Sequence, residues 1–174
     1  MKIIKVLNYS LFLFLFISCS ITQPTTSNKI EVAEIKKEIP KIKSFSNNFN
    51  VKLLSVNGDK NNQTIEIEFL IFHKLVHQKI CFNFGKNDAK MYDFEGNEYL
   101  AKSASIGAIN KTYSYVCNKA PSNVPVKATI IFKQILPDKN KISFATIKVG
   151  YKANDGGSYQ YGLLELNNIK IDWK

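Results

Sequence analysis

The sequence predicts an all-β fold, an antiparallel β-sandwich or small barrel of about eight or nine short strands. Two observations predict it. From residue 49 onward apolar and polar residues alternate with a period of two, the pattern of a strand with one face buried. Clusters of Asn, Asp, Gly and Pro interrupt these runs every 8 to 12 residues or so, a spacing too short for the crossovers of a parallel α/β sheet.

The elements follow in order. Asn50 to Val56 is the first strand, with Val51 and Leu53 on one face, and Asn57-Gly58-Asp59-Lys60-Asn61-Asn62 supplies a turn. Thr64 to Phe72 places Ile65, Ile67, Phe69 and Ile71 on one face and Glu66 and Glu68 on the other. Leu70 and Phe72 then make both faces apolar, which marks a central core strand. His73 to His77 reads as a connecting loop with two solvated imidazoles. Lys79 to Phe84 points Ile80, Phe82 and Phe84 to the core and Cys81 and Asn83 away from it.

Lys90 to Asp93 and Glu98 to Lys102 read as a hairpin about Phe94-Glu95-Gly96-Asn97, with Asp93 opening the turn and Gly96 supplying a positive φ. Lys111 to Cys117 sets Tyr113, Tyr115 and Cys117 on one face against Thr112, Ser114 and Val116. Pro121 and Pro125 interrupt regular pairing. Val126 to Ile135 and Ile142 to Lys152 form a hairpin turning at Pro137-Asp138-Lys139-Asn140. After a turn at Asn154-Asp155-Gly156-Gly157, Tyr159 to Trp173 closes the domain, and the parity shift near Asn167-Asn168 predicts a bulge.

The amino-terminal region is of another kind. Lys2 and Lys5 precede an apolar run from Leu11 to Ile17, which ends at Ser18-Cys19. That run falls short of the about 20 residues needed to span a bilayer, so export and cleavage are expected rather than a permanent span. Phe16-Ile17-Ser18-Cys19 resembles the lipobox of a bacterial lipoprotein, with Phe16 where Leu is usual. The resemblance implies a signal peptide over 1–18 and a diacylglycerol on the Cys19 sulfur. An ordinary secretory peptide, with Cys19 a bystander, is the alternative. Residues 19–48 are polar, with alternating Glu and Lys and a stop at Pro40, and read as a flexible tether. The domain is expected over 49–174. No acidic cluster follows Cys19, and the resemblance then implies a periplasm-facing anchor, with surface display the second address.

The formal net charge of +10 falls to +8 once Lys2 and Lys5 leave with the signal. Such a surface suits anionic lipid, polysaccharide or acidic protein. Nucleic acid is not expected as a partner, because the chain has no Arg to read phosphate or guanine bidentately. With Cys19 lipidated, Cys81 and Cys117 remain, either as one disulfide or as two buried thiols.

No residue pattern identifies catalysis or a cofactor. No serine sits in a Gly-x-Ser-x-Gly elbow, and His73 and His77 lack a neighbouring cysteine or carboxylate set to complete a metal site. Glu66 and Glu68 read as solvent-facing, and Asp93, Asp138 and Asp155 as turn residues without calcium-loop spacing. Tyr151, Tyr159, Tyr161 and Trp173 are the candidate binding aromatics, either stacked on a sugar or protein partner or packed across strands.

The strand Ile65 to Phe72, the turn Asp93-Phe94-Glu95-Gly96-Asn97-Glu98-Tyr99 and the end Asn168-Ile169-Lys170-Ile171-Asp172-Trp173 resemble immunoglobulin-like domains attached to bacterial lipoproteins and secreted antigens. The resemblance covers most of 50–173. It carries no catalytic motif and implies architecture alone, an immunoglobulin-like antiparallel β-sandwich. The functional expectation is a non-enzymatic envelope protein, anchored to membrane lipid through Cys19, that binds another envelope protein. A glycan or small-ligand module using the carboxy-terminal aromatics is the alternative.

Overall fold

A computed structural model describes residues 41–85 and 87–174. The signal peptide over 1–18, Cys19 and most of the tether lie outside the described residues. The first strands are β1 (Lys41–Lys43), β2 (Phe49–Asp59), β3 (Thr64–His73), β4 (Gln78–Asn83), β5 (Ala89–Tyr92) and β6 (Glu98–Ile106). There follow β7 (Ile109–Lys111), β8 (Tyr115–Ala120), β9 (Val126–Lys133), β10 (Lys141–Ala153), β11 (Gln160–Lys170) and β12 (Asp172–Trp173). Among the described residues nine strands are four residues or longer, within the expected number. No helix occurs among them.

The strands form two sheets. Sheet I runs β12-β2-β3-β9-β6-β7, and sheet II runs β1-β11-β10-β4-β8, with β5 beside β10 beyond the end of β4. Lettering β2, β3, β4, β6, β9, β10 and β11 from A to G gives A-B-E-D in sheet I and C-F-G in sheet II. That is the immunoglobulin strand order, so the all-β sandwich is of the immunoglobulin-like kind. Every pairing is antiparallel except that of β12, which runs parallel to β2. β6 turns the corner between the sheets. Its first residues pair with β5, and Ala101 to Ile106 pair with β9, with a register shift between Ala101 and Ser103 that bends the strand.

Alternation decides what is buried. Ile65, Ile67, Phe69 and Ile71 of β3 face Ile80 and Phe82 of β4, Ala145, Ile147 and Val149 of β10, and Leu164 and Leu166 of β11. Phe69 and Phe82, one from each sheet, meet edge to face with ring centroids 6.3 Å apart.

Several expectations change. The tether extends too far: β1 pairs with β11, and Phe45 is buried against Phe49 and Tyr151, so the domain begins by Lys41 rather than at 49. Gly162 permits this, because a Cβ there would lie 1.9 Å from the Phe45 carbonyl oxygen. The turn expected at 57–62 starts later. Gly58 stays in β2 because the Trp173 ring lies on it, 2.2 Å from where a Cβ would stand. The bend then falls at 60–63, with Gln63 at φ 51° and the Asp59 carboxylate accepting from the Asn61 and Asn62 amides.

The strand expected from Lys111 to Cys117 is broken. Ser114 takes φ 65°, and its carbonyl accepts from the amides of Phe84 and Gly85. There the chain leaves β7 in sheet I and enters β8 in sheet II. Near Asn168, which has φ 55°, the parity shift is present without a one-sided bulge: Ile142 opposes Ile169 and Phe144 opposes Asn167 in one continuous register. Both strands change face together. His73 is not solvated; it is 1% exposed at the end of β3, with Nε2 3.0 Å from the Ala120 carbonyl oxygen.

Candidate functional site

The outer face of sheet II carries the densest group of binding-type side chains. On β10, Lys148, Gly150 and Lys152 point outward between the buried Ile147, Val149 and the half-buried Tyr151. Register brings Asn83, Cys81 and Lys79 of β4 beside them, and Tyr115, Cys117 and Lys119 of β8 beside those. On the other flank Tyr161 of β11 opposes Gly150, and Leu163 opposes Lys148. Two rows result across four strands: Cys117, Cys81, Gly150 and Tyr161 in one, and Lys119, Lys79 and Lys152 in the next.

Cys81 and Cys117 form a disulfide within sheet II, with Cα atoms 4.0 Å apart and a sequence separation of 36. The bridge is the floor of the site. The Tyr159 hydroxyl stands 3.5 Å from Cys81 Sγ. The Tyr161 ring lies across Gly150, where a Cβ would meet it at 3.0 Å. The Tyr159 and Tyr161 rings stack with centroids 6.1 Å apart. Lys152 Nζ sits 5.2 Å from the Tyr159 centroid, and Lys148 Nζ 5.5 Å from that of Tyr161. A shallow pocket of about 250 Å³ lies between this pair and Tyr115, and Lys79 and Asn83 line it as well. Tyr115 and Tyr161 are 59% and 60% exposed, so the rings offer surface rather than fill a core.

The four candidate aromatics therefore divide. Tyr159 and Tyr161 belong to this face. Tyr151 packs against Phe45 and Phe49, and Trp173 lies on Gly58 and donates from Nε1 to the Lys139 carbonyl at 2.6 Å, so these two are structural. Tyr115, Lys79, Lys119 and Lys152 were not among the sequence candidates. Their signal was the shared parity with Cys81, Cys117 and Gly150, which becomes readable only once β4, β8 and β10 are known neighbours.

The remaining candidates are placed in structural roles. His77 Nδ1 accepts from the Ser122 amide. Glu68 pairs with Lys127 and accepts from Ser55 Oγ at 2.8 Å, and hydrogen bonds from both hold its carboxyl below the usual range. Among the described residues no group of three or more His, Cys, Asp or Glu is arranged to hold a metal.

Asp93 is 6% exposed at the head of its hairpin. Burial pushes its carboxyl up, but hydrogen bonds from the Asn97 side chain, the Tyr99 hydroxyl and the amides of Asn97 and Glu95 bring it from 3.8 to about 2. Tyr99, by burial and by the same bond, is raised from 10.0 to about 12. A depressed folded carboxyl stabilises above its unfolded value and loses that stabilisation as pH falls through the folded one. Asp93→Asn is thus expected to cost about 2 kcal/mol at pH 7. Urea unfolding followed by Trp173 fluorescence should find this gap closing between about pH 4 and pH 2. A gap constant over that range would remove the carboxylate from the explanation.

No protein-family model and no curated protein matches the sequence. Among solved structures the chain is similar to the ASH / PapD-like domain of human CEP192 (PapD-like domain 7), at 11% identity and a TM-score of 0.41, over 76% of this chain and 87% of that one. It is also similar to AvmM, which catalyzes macrocyclization in alchivemycin A biosynthesis, at 10% identity and a TM-score of 0.30, over 73% of this chain and 90% of that one. The fold assignment rests on the strand order above.

Proposed function

We propose that this chain is a non-enzymatic binding module, held at a bacterial cell envelope by lipid on Cys19, whose ligand lies on the outer face of sheet II. One observation carries the reading: exposed tyrosines and a row of lysines converge on a disulfide floor, where a sheet ordinarily presents mixed, mutually compensating charges. The imidazoles of His73 and His77 are both engaged by the backbone, His73 Nε2 with the Ala120 carbonyl and His77 Nδ1 with the Ser122 amide.

A second reading, a protein partner in the envelope, has its own support. A groove of about 640 Å³ lined by Ile42, Val51, Leu53, Leu70, Phe72 and Pro125 follows β2, and β12 covers that strand only at Asn57 and Gly58. An extended segment added to that edge would gain main-chain hydrogen bonds.

Lysine acetylation in intact envelopes, compared with the purified chain, separates the two. Protection of Lys79, Lys119 and Lys152, with Lys133 of sheet I labelled equally in both, is the expected result. Protection of Lys52 on β2 instead would move the ligand to the groove, and unchanged labelling throughout would end the proposal. Intact mass of membrane-extracted protein tests the anchor: a diacyl or triacyl increment is expected, and its loss in Cys19→Ala.

A further inference from the structure

Lys119, Lys79 and Lys152 stand directly opposite one another on three adjacent strands. Like charges so placed repel. Other outward lysines carry ion pairs: Lys43 with Glu165, Lys90 with Glu98, Lys127 with Glu68 and, on this same face, Lys148 with Asp88. The three lysines of the row have no ion pair among the described residues, and the outward residues beside them on their own strands, Cys81, Cys117 and Gly150, are uncharged. Lys152 finds only the Tyr159 ring. The repulsion is a standing cost in the free chain, and an anion laid along the row removes it.

The rings select what carries the anion. Tyr159 and Tyr161 are stacked on each other and lie under Lys152 and Lys148, so part of each ring surface is already covered. A nucleobase needs an open ring face. What remains outward is hydroxyls, ring edges and the Asn83 amide, which suit a ligand rich in hydroxyl groups. The pocket between Tyr115 and Tyr161, about 250 Å³, lies just under the range of about 300–1,000 Å³ for sites that enclose a whole small molecule. It fits one ring unit of a longer chain lying across the strands.

We propose, on the binding reading above, that the ligand of this face is a saccharide bearing an anionic substituent, with a sugar ring seated among Tyr115, Tyr159 and Tyr161 and its anion on Lys79, Lys119 and Lys152. Without Arg in the chain, the lysines act as separate point charges, so recognition depends on charge and spacing rather than on a bidentate fork. Carboxylate of a uronic acid and phosphate of a phosphorylated sugar share that chemistry.

The test is titration of the disulfide-bonded chain with tetragalacturonate, mannose 6-phosphate, maltotetraose, inorganic phosphate and an eight-residue oligothymidylate, following tyrosine ring resonances. At least one acidic sugar is expected to bind roughly tenfold or more tighter than maltotetraose and than inorganic phosphate, and to weaken as salt rises. Which of the two acidic sugars binds identifies the anion. The Lys79→Ala, Lys119→Ala, Lys152→Ala triple variant is expected to lose that preference while unfolding at the same or a higher temperature, since it relieves repulsion. Tyr161→Ala should weaken every sugar alike.

Equal binding of acidic and neutral sugars, undiminished binding by the triple variant, or tighter binding of the oligothymidylate would each overturn the ligand class. If maltotetraose moves the Tyr159 and Tyr161 resonances without any acidic preference, the face stands as a binding site and only the anionic ligand falls. If no probe moves them and the lysines are unprotected in envelopes, both readings fall.

Discussion

Replacing Cys81 and Cys117 together by serine is expected to lower stability by about 4 kcal/mol, the loop-closure entropy of a crosslink spanning 36 residues. In a domain of this size the midpoint of thermal unfolding should fall by roughly 15 °C. The effect is not spread evenly. Among the described residues β8 pairs only with β4, and it buries only Val116 and Ala120 in the core. It is also an excursion: the chain leaves sheet I at Ser114, runs one edge strand of sheet II, and returns at Pro121. Without the bridge, hydrogen exchange at the amides of 115–120 should accelerate well before those of β3 or β10. Tyr115 and Lys119 leave the site with that strand, so sugar affinity should fall with the disulfide. A loss below about 1 kcal/mol with β8 still slow to exchange would mean that the six-residue ladder alone holds the edge.

Where one strand's own alternation decides the outcome, the sequence was readable. β3, β4 and the hairpin opened by Asp93 follow directly from period-two patterning and from Gly96, which takes φ 86°. Where a residue's conformation is decided by something distant in sequence, reading failed. Gly58 looks like a turn glycine, and only the Trp173 ring, arriving from the other end of the chain, explains why it is a strand residue. Phe45 sits in a polar context too short to show a pattern, and its burial depends on Gly162 leaving its carbonyl room. The site failed in the same manner. Each lysine of the row is unremarkable on its own strand, and the unfavourable alignment exists only in the cross-strand register. Tyr159 and Tyr161 were legible as candidate aromatics by type, but Tyr151 and Trp173 have the same composition cue and lie in packing contacts.

Phe69→Ala should be the most damaging single core change, costing about 4 kcal/mol in urea unfolding followed by Trp173 fluorescence. Phe69 has no exposed surface and sits midway along the central strand of sheet I, so the cavity left behind cannot collapse without moving Phe82 of the opposite sheet. Phe82→Ala should cost nearly as much. The double variant should cost less than the two together, by about 0.5–1.5 kcal/mol, because the edge-to-face contact is lost only once. Strict additivity would mean that the rings pack independently and that the two sheets are joined elsewhere. Phe69 lies between the sheets and the disulfide on the outer face of sheet II, so their costs are expected to add approximately. The sum, about 8 kcal/mol, lies within the usual stability of a whole domain, about 5–15 kcal/mol. A chain lacking both is therefore expected to be unfolded or nearly so at 37 °C. A cooperative transition surviving in that chain would require some other group, such as the buried Asp93 turn or the Phe45, Phe49 and Tyr151 cluster, to hold the sandwich together without its centre.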